Sequence, residues 1–239
     1  MATLARTARP ARLVLLLALA ACGSSPSPSP PPSTSVSPLG GYEGRAIAQT
    51  MSYLGADWLD RDDRAAREQP ERVLDALALT PGMVVADIGA GTGYFTLRLA
   101  TRVGPGGKVY APDLQPEMLR RLAARLSAAG LHNVELRRAG EHDAALPAAS
   151  LDLVLLVDVY HELSDPPGVM AGVRHALRGK GRLVLVEYRG EDPAVAIKPE
   201  HKMTLAQIRK ELGELGFHFE ASLEFLPDQR VVIFTRDDA

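Results

Sequence analysis

The stretch Val84-Val85-Ala86-Asp87-Ile88-Gly89-Ala90-Gly91-Thr92-Gly93 is an apolar run that stops at an acid and then places glycine at three alternate positions. A short apolar run bounded by glycines reads as a buried strand, and the glycines supply a tight turn in which no Cβ obstructs a ligand. A helix beginning near Tyr94 would turn its free amides toward that ligand. The stretch therefore predicts the first strand and first turn of a nucleotide-binding βαβ unit, with Asp87 near the strand end.

The spacing separates two ligand classes. A dinucleotide fingerprint puts its third glycine five positions after the first. Here that position is Tyr94, and the third glycine comes one residue early. An acid two residues ahead of the first glycine suits a ligand with an ammonium group at its near end better than a doubly charged pyrophosphate. The pattern D-x-G-x-G-x-G over Asp87 to Gly93 resembles motif I of the class I, Rossmann-like S-adenosylmethionine-dependent methyltransferases. The resemblance implies an α/β, doubly wound, seven-stranded and mostly parallel sheet with an antiparallel last strand and helices on both faces. It also implies S-adenosyl-L-methionine as cofactor, with Asp87, Gly89, Ala90, Gly91 and Gly93 as binding residues.

Outward from the motif the pattern continues. Pro70 to Leu79 reads as a helix with proline in its first turn and Val73, Leu74 and Leu77 inward. After the glycines, Tyr94, Phe95, Leu97, Leu99 and Val103 set a helix against the sheet, stopped at Gly104. Lys108 to Ala111 predicts a strand closing at Asp113. This acid stands twenty residues beyond Gly93, where a nucleotide-binding βαβ unit places a partner for ribose hydroxyls. Asp113, with Leu114 beside it, joins the cofactor set; capping of the helix from Pro116 to Ala129 is the competing role for Asp113. That helix is expected to bury Leu119, Leu122 and Leu126 and to expose Arg120, Arg121 and Arg125. Val134 to Arg138 is a third strand. By the family resemblance, an acid just after it meets adenine, either Glu141 or Asp143, with Glu141 aligning better.

Leu151 to Val157 is apolar enough for a strand covered on both faces. It runs into Asp158-Val159-Tyr160-His161-Glu162, at the switch between first and fourth strands where open α/β sheets bind ligands. Asp158 is assigned to the cofactor, His161 is the candidate general base, and Glu162 or Tyr160 is its candidate orienter. Leu177 to Leu183 resembles the family's L-R-P-G-G-R-L turn. A strand then ends at Glu187 and Tyr188, and the polar Glu191–Met203 loop is a candidate pocket lining. Thr204 to Gln207 is a capping box opening a helix to Leu215. Phe217 to Leu226 and Val231 to Thr235 form a closing hairpin. The resemblance covers about Pro70 to Arg236, within a predicted domain of residues 70–239.

Methyl transfer needs positioning and exclusion of water, and a base only where the acceptor loses a proton. No metal cluster is expected: His132, His142 and His161 show no ligand spacing. The leading reading is a methyltransferase for a small molecule. A binding protein that holds adenosylmethionine or its product without turnover is the alternative, and a nicotinamide-dependent oxidoreductase fits the glycine spacing less well.

The N-terminal segments set location. Arg6, Arg9 and Arg12 precede an apolar run from Leu13 to Ala21, the length of a signal-peptide core and too short to span a bilayer. Leu19-Ala20-Ala21-Cys22 resembles a bacterial lipobox, which implies residues 1–21 as a lipoprotein signal peptide and Cys22 as a lipidated membrane contact. Gly23, not an acid, points by the same resemblance to the periplasmic face of the outer membrane. Residues 22–40 form a tether, and its Ser24–Pro38 portion, serine and proline throughout but for a few residues, reaches roughly 50 Å if extended. Translation starting downstream, for example at Met51, would leave the domain cytoplasmic. Residues 41–69 read as a helical extension or lid, with Met51, Leu54, Trp58 and Leu59 inward and Arg61, Asp62, Asp63 and Arg64 in solvent. Loss of residues 1–21 moves the formal charge from −2 to −5. A mildly acidic chain without a basic run does not fit a nucleic-acid substrate.

Overall fold

The computed structural model describes Met1 and residues 40–236. The predicted signal peptide, Cys22 and nearly all of the predicted tether lie outside the described residues. Seven strands form the path of the main sheet: β1 (Val84–Ile88), β2 (Lys108–Asp113), β3 (Val134–Arg138), β4 (Leu151–Val157), β5 (Leu177–Arg189), β6 (Phe217–Leu223) and β7 (Gln229–Arg236). Their spatial order is β3-β2-β1-β4-β5-β7-β6, and a two-residue strand, Lys202–Met203, adds beside β5. The first five pair in parallel, whereas β7 runs antiparallel to both β5 and β6. This is the expected doubly wound architecture with its antiparallel last strand.

The centre of the sheet is apolar because it is covered on both sides. Leu153 and Leu155 of β4 face one layer with Val184 and Val186 of β5; Val154 and Leu156 face the other with Leu183 and Leu185. Each such side chain contributes about 1.5–3 kcal/mol through burial. The first layer is closed by α2 (Pro70–Ala76) and α3 (Thr96–Val103), following a short α1 (Arg64–Glu68), and is extended by α4 (Pro116–Ala129). The second is closed by α5 (Pro166–Ala176) and α6 (Leu205–Glu214). In α4 the inward residues are Met118, Leu122 and Leu126, while Leu119 is only half-buried. Thr204 accepts the N–H of Gln207 as a cap at 3.1 Å, yet the reciprocal arm of the capping box is missing. The Gln207 amide instead donates to the Glu43 carbonyl and to Glu211.

The segment before α1 departs from expectation. It forms a small strand pair, Gly41–Tyr42 with Arg45–Ala46, and a 3-10 helix over Tyr53–Asp60. With three residues per turn in that helix, Ala56 is buried and Leu54 is 77% exposed, so Leu54 leaves the predicted inward face. Arg64, expected in solvent, is buried, and the Arg61 side chain is largely covered. Both guanidinium groups bind Glu68, at 2.8 and 2.7 Å, and they lie over the Trp58 and Tyr94 rings at 4.2 and 4.0 Å. Pairing and aromatic contact offset the desolvation of the charges.

Candidate functional site

Three strand ends converge at the carboxyl edge where the order reverses between β1 and β4. The β1 end turns at Gly89 (φ 68°), and the N–H groups of Gly89 and Ala90 donate to the Pro112 carbonyl at 3.0 and 3.3 Å. The glycine loop is thereby fastened to the end of β2. Asp113 completes the link: Oδ2 accepts from Gly91 N at 2.8 Å and Oδ1 from Gln115 N at 2.7 Å. It thus serves the loop and the start of α4 together. Burial raises its carboxyl above the ordinary range, against the lowering effect of those two N–H groups.

The three glycines have different jobs. A Cβ on Gly93 would lie 2.2 Å from Leu122 Cδ1, so this glycine admits α4 rather than a ligand. At Gly89 the Cβ would meet Val159 Cγ2 at 2.5 Å, which brings the loop after β4 against the glycine turn. Only at Gly91 is the nearest neighbour the tip of a side chain from the N-terminal extension, Leu59 Cδ1 at 3.0 Å. Ala90 is buried and Leu114 half-buried beside them.

Asp87 is 3% exposed and accepts from Thr96 Oγ1 at 2.6 Å. Burial pushes its carboxyl up to about 7, despite the Thr96 hydroxyl and the nearby Arg64 guanidinium. In and just after the glycine loop, Thr92 Oγ1 and Tyr94 Oη are buried without a hydrogen-bond partner among the described residues. Arg64 and Arg98 stack near the Tyr94 ring, at 4.0 and 4.1 Å. Buried hydroxyls left open at a glycine loop fit a ligand that carries acceptor oxygens.

After β4, Asp158 adopts φ 54°, a left-handed conformation that a non-glycine residue holds at a cost of about 1–3 kcal/mol. Gln229 Nε2 donates to both its oxygens, at 2.9 and 2.7 Å, which holds the turn. Burial, with Glu68 and Glu187 nearby, pushes its carboxyl well above the ordinary range. His161 follows at 1% exposure. Its Nδ1 contacts Glu187 Oε2 at 2.6 Å and its Nε2 contacts His201 Nδ1 at 3.0 Å. Burial alone would lower the imidazole, but Glu187, with Glu162 and Asp158, outweighs it and lifts His161 to about 9. Burial and the His161 charge hold His201 down at about 4. The expected free base is therefore a cation at neutral pH, donating to a neutral neighbour.

The carboxylate that holds the His161 ring is Glu187, and neither expected orienter, Glu162 or Tyr160, makes that contact. Tyr160 turns into the core at 0% exposure and donates its hydroxyl to Glu211 Oε2 at 3.0 Å. Glu162 lies 4.0 Å from His161 Nε2 and 3.9 Å from His201 Nδ1, and burial pushes it up to about 7. The spacing of His132, His142 and His161 gave no ligand grouping, but the fold gathers a different trio. His161, Glu162 and His201 bring ligand atoms within 4.8 Å of one another. His201 arrives from forty residues away because Lys202–Met203 pairs with Tyr188–Arg189 of β5. Glu141 is exposed, while the Asp143 carboxylate accepts from Ala145 N at 2.8 Å.

The N-terminal extension lies across this edge. Gln115 donates to the Met51 carbonyl and accepts from Tyr53 N, both at 2.8 Å; Arg121 and Arg125 pair with Asp57 and Asp60. Two surface hollows, of about 500 and 610 Å³, lie elsewhere: beside Gly82, Asp152 and Arg182 at the amino ends of the strands, and between α5 and the end of α6. Sequence reasoning missed Glu187, His201, Gln229 and the Arg61–Arg64–Glu68 cluster. Glu187 carried a signal, since it closes an apolar run as Asp87 and Asp158 do; His201 was covered only as part of the Glu191–Met203 pocket-lining loop, and Gln229 carried none.

Comparison with known proteins agrees with the fold. Nocamycin O-methyltransferase of Saccharothrix syringae is 36% identical over 119 residues, covering 50% of this chain and 42% of that protein. Demethylmenaquinone methyltransferase of Tropheryma whipplei is 29% identical over 152 residues, covering 64% and 60%. The chain thus spans roughly half the length of these relatives. A SAM-dependent methyltransferase structure from Aquifex aeolicus superposes with a TM-score of 0.74 at 26% identity, covering 78% of this chain and all of that one. A family model described as a methyltransferase domain matches residues 79–221, more than half of the chain, and the chain belongs to that methyltransferase domain family.

Proposed function

We propose that this domain transfers a methyl group from S-adenosylmethionine to a small-molecule acceptor. The observation that carries the reading is the glycine loop at the sheet's switch point, with two unpartnered buried hydroxyls and two buried carboxyls around it. When bound, adenosylmethionine supplies an electrophilic methyl on a sulfonium leaving group. Asp87, whose charge burial disfavours, favours a ligand that brings a cation beside it. The Thr92 and Tyr94 hydroxyls suit a carboxylate, and Asp113 keeps accepting capacity for ribose hydroxyls beyond its two N–H partners. The loop from Asp158 to Glu162 positions the acceptor, and the Tyr53–Asp60 turn excludes water as a lid. Acidic net charge and relatives named for nocamycin and demethylmenaquinone support a small, uncharged or quinol-like acceptor.

Calorimetric titration with adenosylmethionine and adenosylhomocysteine tests the site, and release of adenosylhomocysteine with a panel of phenols, enols and quinols tests turnover. Binding of neither ligand would refute the reading. Tight binding without turnover on any acceptor would favour the non-catalytic alternative. For the lid, Leu59→Ala should accelerate adenosylmethionine release at least several-fold with little change in unfolding midpoint; an unchanged release rate would remove the lid role. We also propose export, with cleavage before Cys22 and lipidation there. Labelling with a palmitate analogue should disappear in Cys22→Ala, and equal labelling would remove the anchor.

A further inference from the structure

We infer that His161, Glu162 and His201 form a binding site for a divalent transition-metal ion. The donor atoms are His161 Nε2, His201 Nδ1 and Glu162 Oε1, separated by 3.0, 3.9 and 4.0 Å. Around an ion held at about 2.0–2.1 Å in tetrahedral geometry, donors sit roughly 3.3 Å apart, so the three atoms need shifts of only about half an ångström. Two imidazoles and one carboxylate suit zinc or ferrous iron, and three protein ligands leave a position open.

The surroundings match what such a site requires. Glu187 against His161 Nδ1 at 2.6 Å fixes the ring, and an ion would bind at Nε2 by displacing the proton that otherwise points at His201. The His161 carbonyl accepts from Ala48 N at 3.0 Å and from Arg45 Nη1 at 3.2 Å, and the Met51 N–H donates to Glu162. Those contacts hold two of the three ligands in place. His201 and Glu162 keep 26% and 15% of their side chains exposed, which gives the ion a way in and the open position a direction outward. Val159, two residues before His161, packs on Gly89, so the site adjoins the glycine loop. Resting on the methyl-transfer reading, the open position would hold an acceptor's oxygen beside that loop, which selects acceptors bearing a hydroxyl or enol.

The test is titration of chelator-treated full-length protein with Zn²⁺ by calorimetry and with Co²⁺ by visible absorption. One equivalent should bind, and Co²⁺ should give the intense d–d bands of a low-coordinate site. His201→Ala, a change on a partly exposed loop, should weaken binding at least 100-fold, and Glu162→Gln should do so at least tenfold. His132→Ala, at an exposed remote histidine, should leave it unchanged. Absence of stoichiometric binding, or equal binding by wild type and His201→Ala, would overturn the site. Adenosylmethionine titrations of the same samples keep the two readings apart: metal uptake without adenosylmethionine binding would sustain the site and overturn the functional reading.

Discussion

Alanine substitutions at three glycines separate the backbone, packing and ligand roles that the motif combines. Gly93 (φ 89°) and Gly82 (φ 90°) have nearly the same backbone conformation, but a Cβ on Gly82 meets nothing within 4 Å. A left-handed alanine costs about 1–2 kcal/mol, which both variants share. At Gly93 the Cβ would also lie 2.2 Å from Leu122 Cδ1 and 2.8 Å from Leu97 Cδ1. Leu122 is 0% exposed and enclosed with Ala90, Ala111 and Leu126, so moving its tip aside means repacking a close-packed cluster. Overpacking of that kind adds about 1–3 kcal/mol. Gly93→Ala should therefore cost about 2–5 kcal/mol and Gly82→Ala about 1–2 kcal/mol, with unchanged m-values in urea unfolding followed by circular dichroism. Gly91→Ala meets the Leu59 tip at 3.0 Å and otherwise only the Gly89 carbonyl at an ordinary 3.9 Å. It should unfold like Gly82→Ala while losing more than tenfold in adenosylmethionine affinity, about 1.4 kcal/mol. Equal costs at Gly93 and Gly82 would refute the packing argument, and unchanged affinity in Gly91→Ala would refute the ligand argument.

Three further outcomes follow from buried polar groups. Because the folded state raises the Asp87 carboxyl from 3.8 to about 7, it binds that proton more tightly than the unfolded chain does. The associated stability is present below about pH 4 and is lost as pH rises through about 7, so Asp87→Asn should gain on wild type by up to about 4 kcal/mol between pH 4 and 8; parallel urea midpoints across that range would contradict this. Tyr160→Phe removes one donor from Glu211, which Arg45 still pairs at 2.8 Å, and should cost about 1 kcal/mol of stability without lowering turnover per folded molecule. A large drop in turnover at intact stability would return Tyr160 to the reacting centre. Glu68→Gln leaves two buried guanidinium groups without their shared anion, a loss of about 3–5 kcal/mol that limited proteolysis should locate between residues 41 and 68.

Much of the fold was legible because local chemistry agreed with tertiary placement. The boundaries of β3, β4 and α4 follow from the apolar run at Leu151–Val157, the β-branched start at Val134, and the proline and glycine that bracket residues 116–129. The extension was harder to read. Its 3-10 helix turned Leu54 outward, and its arginines looked solvated because a charged residue shows its burial only once Glu68, Trp58 and Tyr94 surround it. Within the site, the glycine loop and the acids at strand ends are short-range signals. The partner of His161 is not, because Glu187 lies on a different strand and His201 on a distant loop.

The sequence by itself determined the βαβ core, the position of the glycine loop and the acids at the ends of β1, β2 and β4, since periodicity and glycine spacing are written along the chain. Only the tertiary structure decided how those parts act on one another. It assigned Gly93 to helix packing, put Leu59 over Gly91, turned Tyr160 into the core, and gathered His161, Glu162 and His201 at one edge. The physical reason is that pKa values, ligand sets and steric limits depend on distances between residues remote in sequence, and the pairing of strands sets those distances.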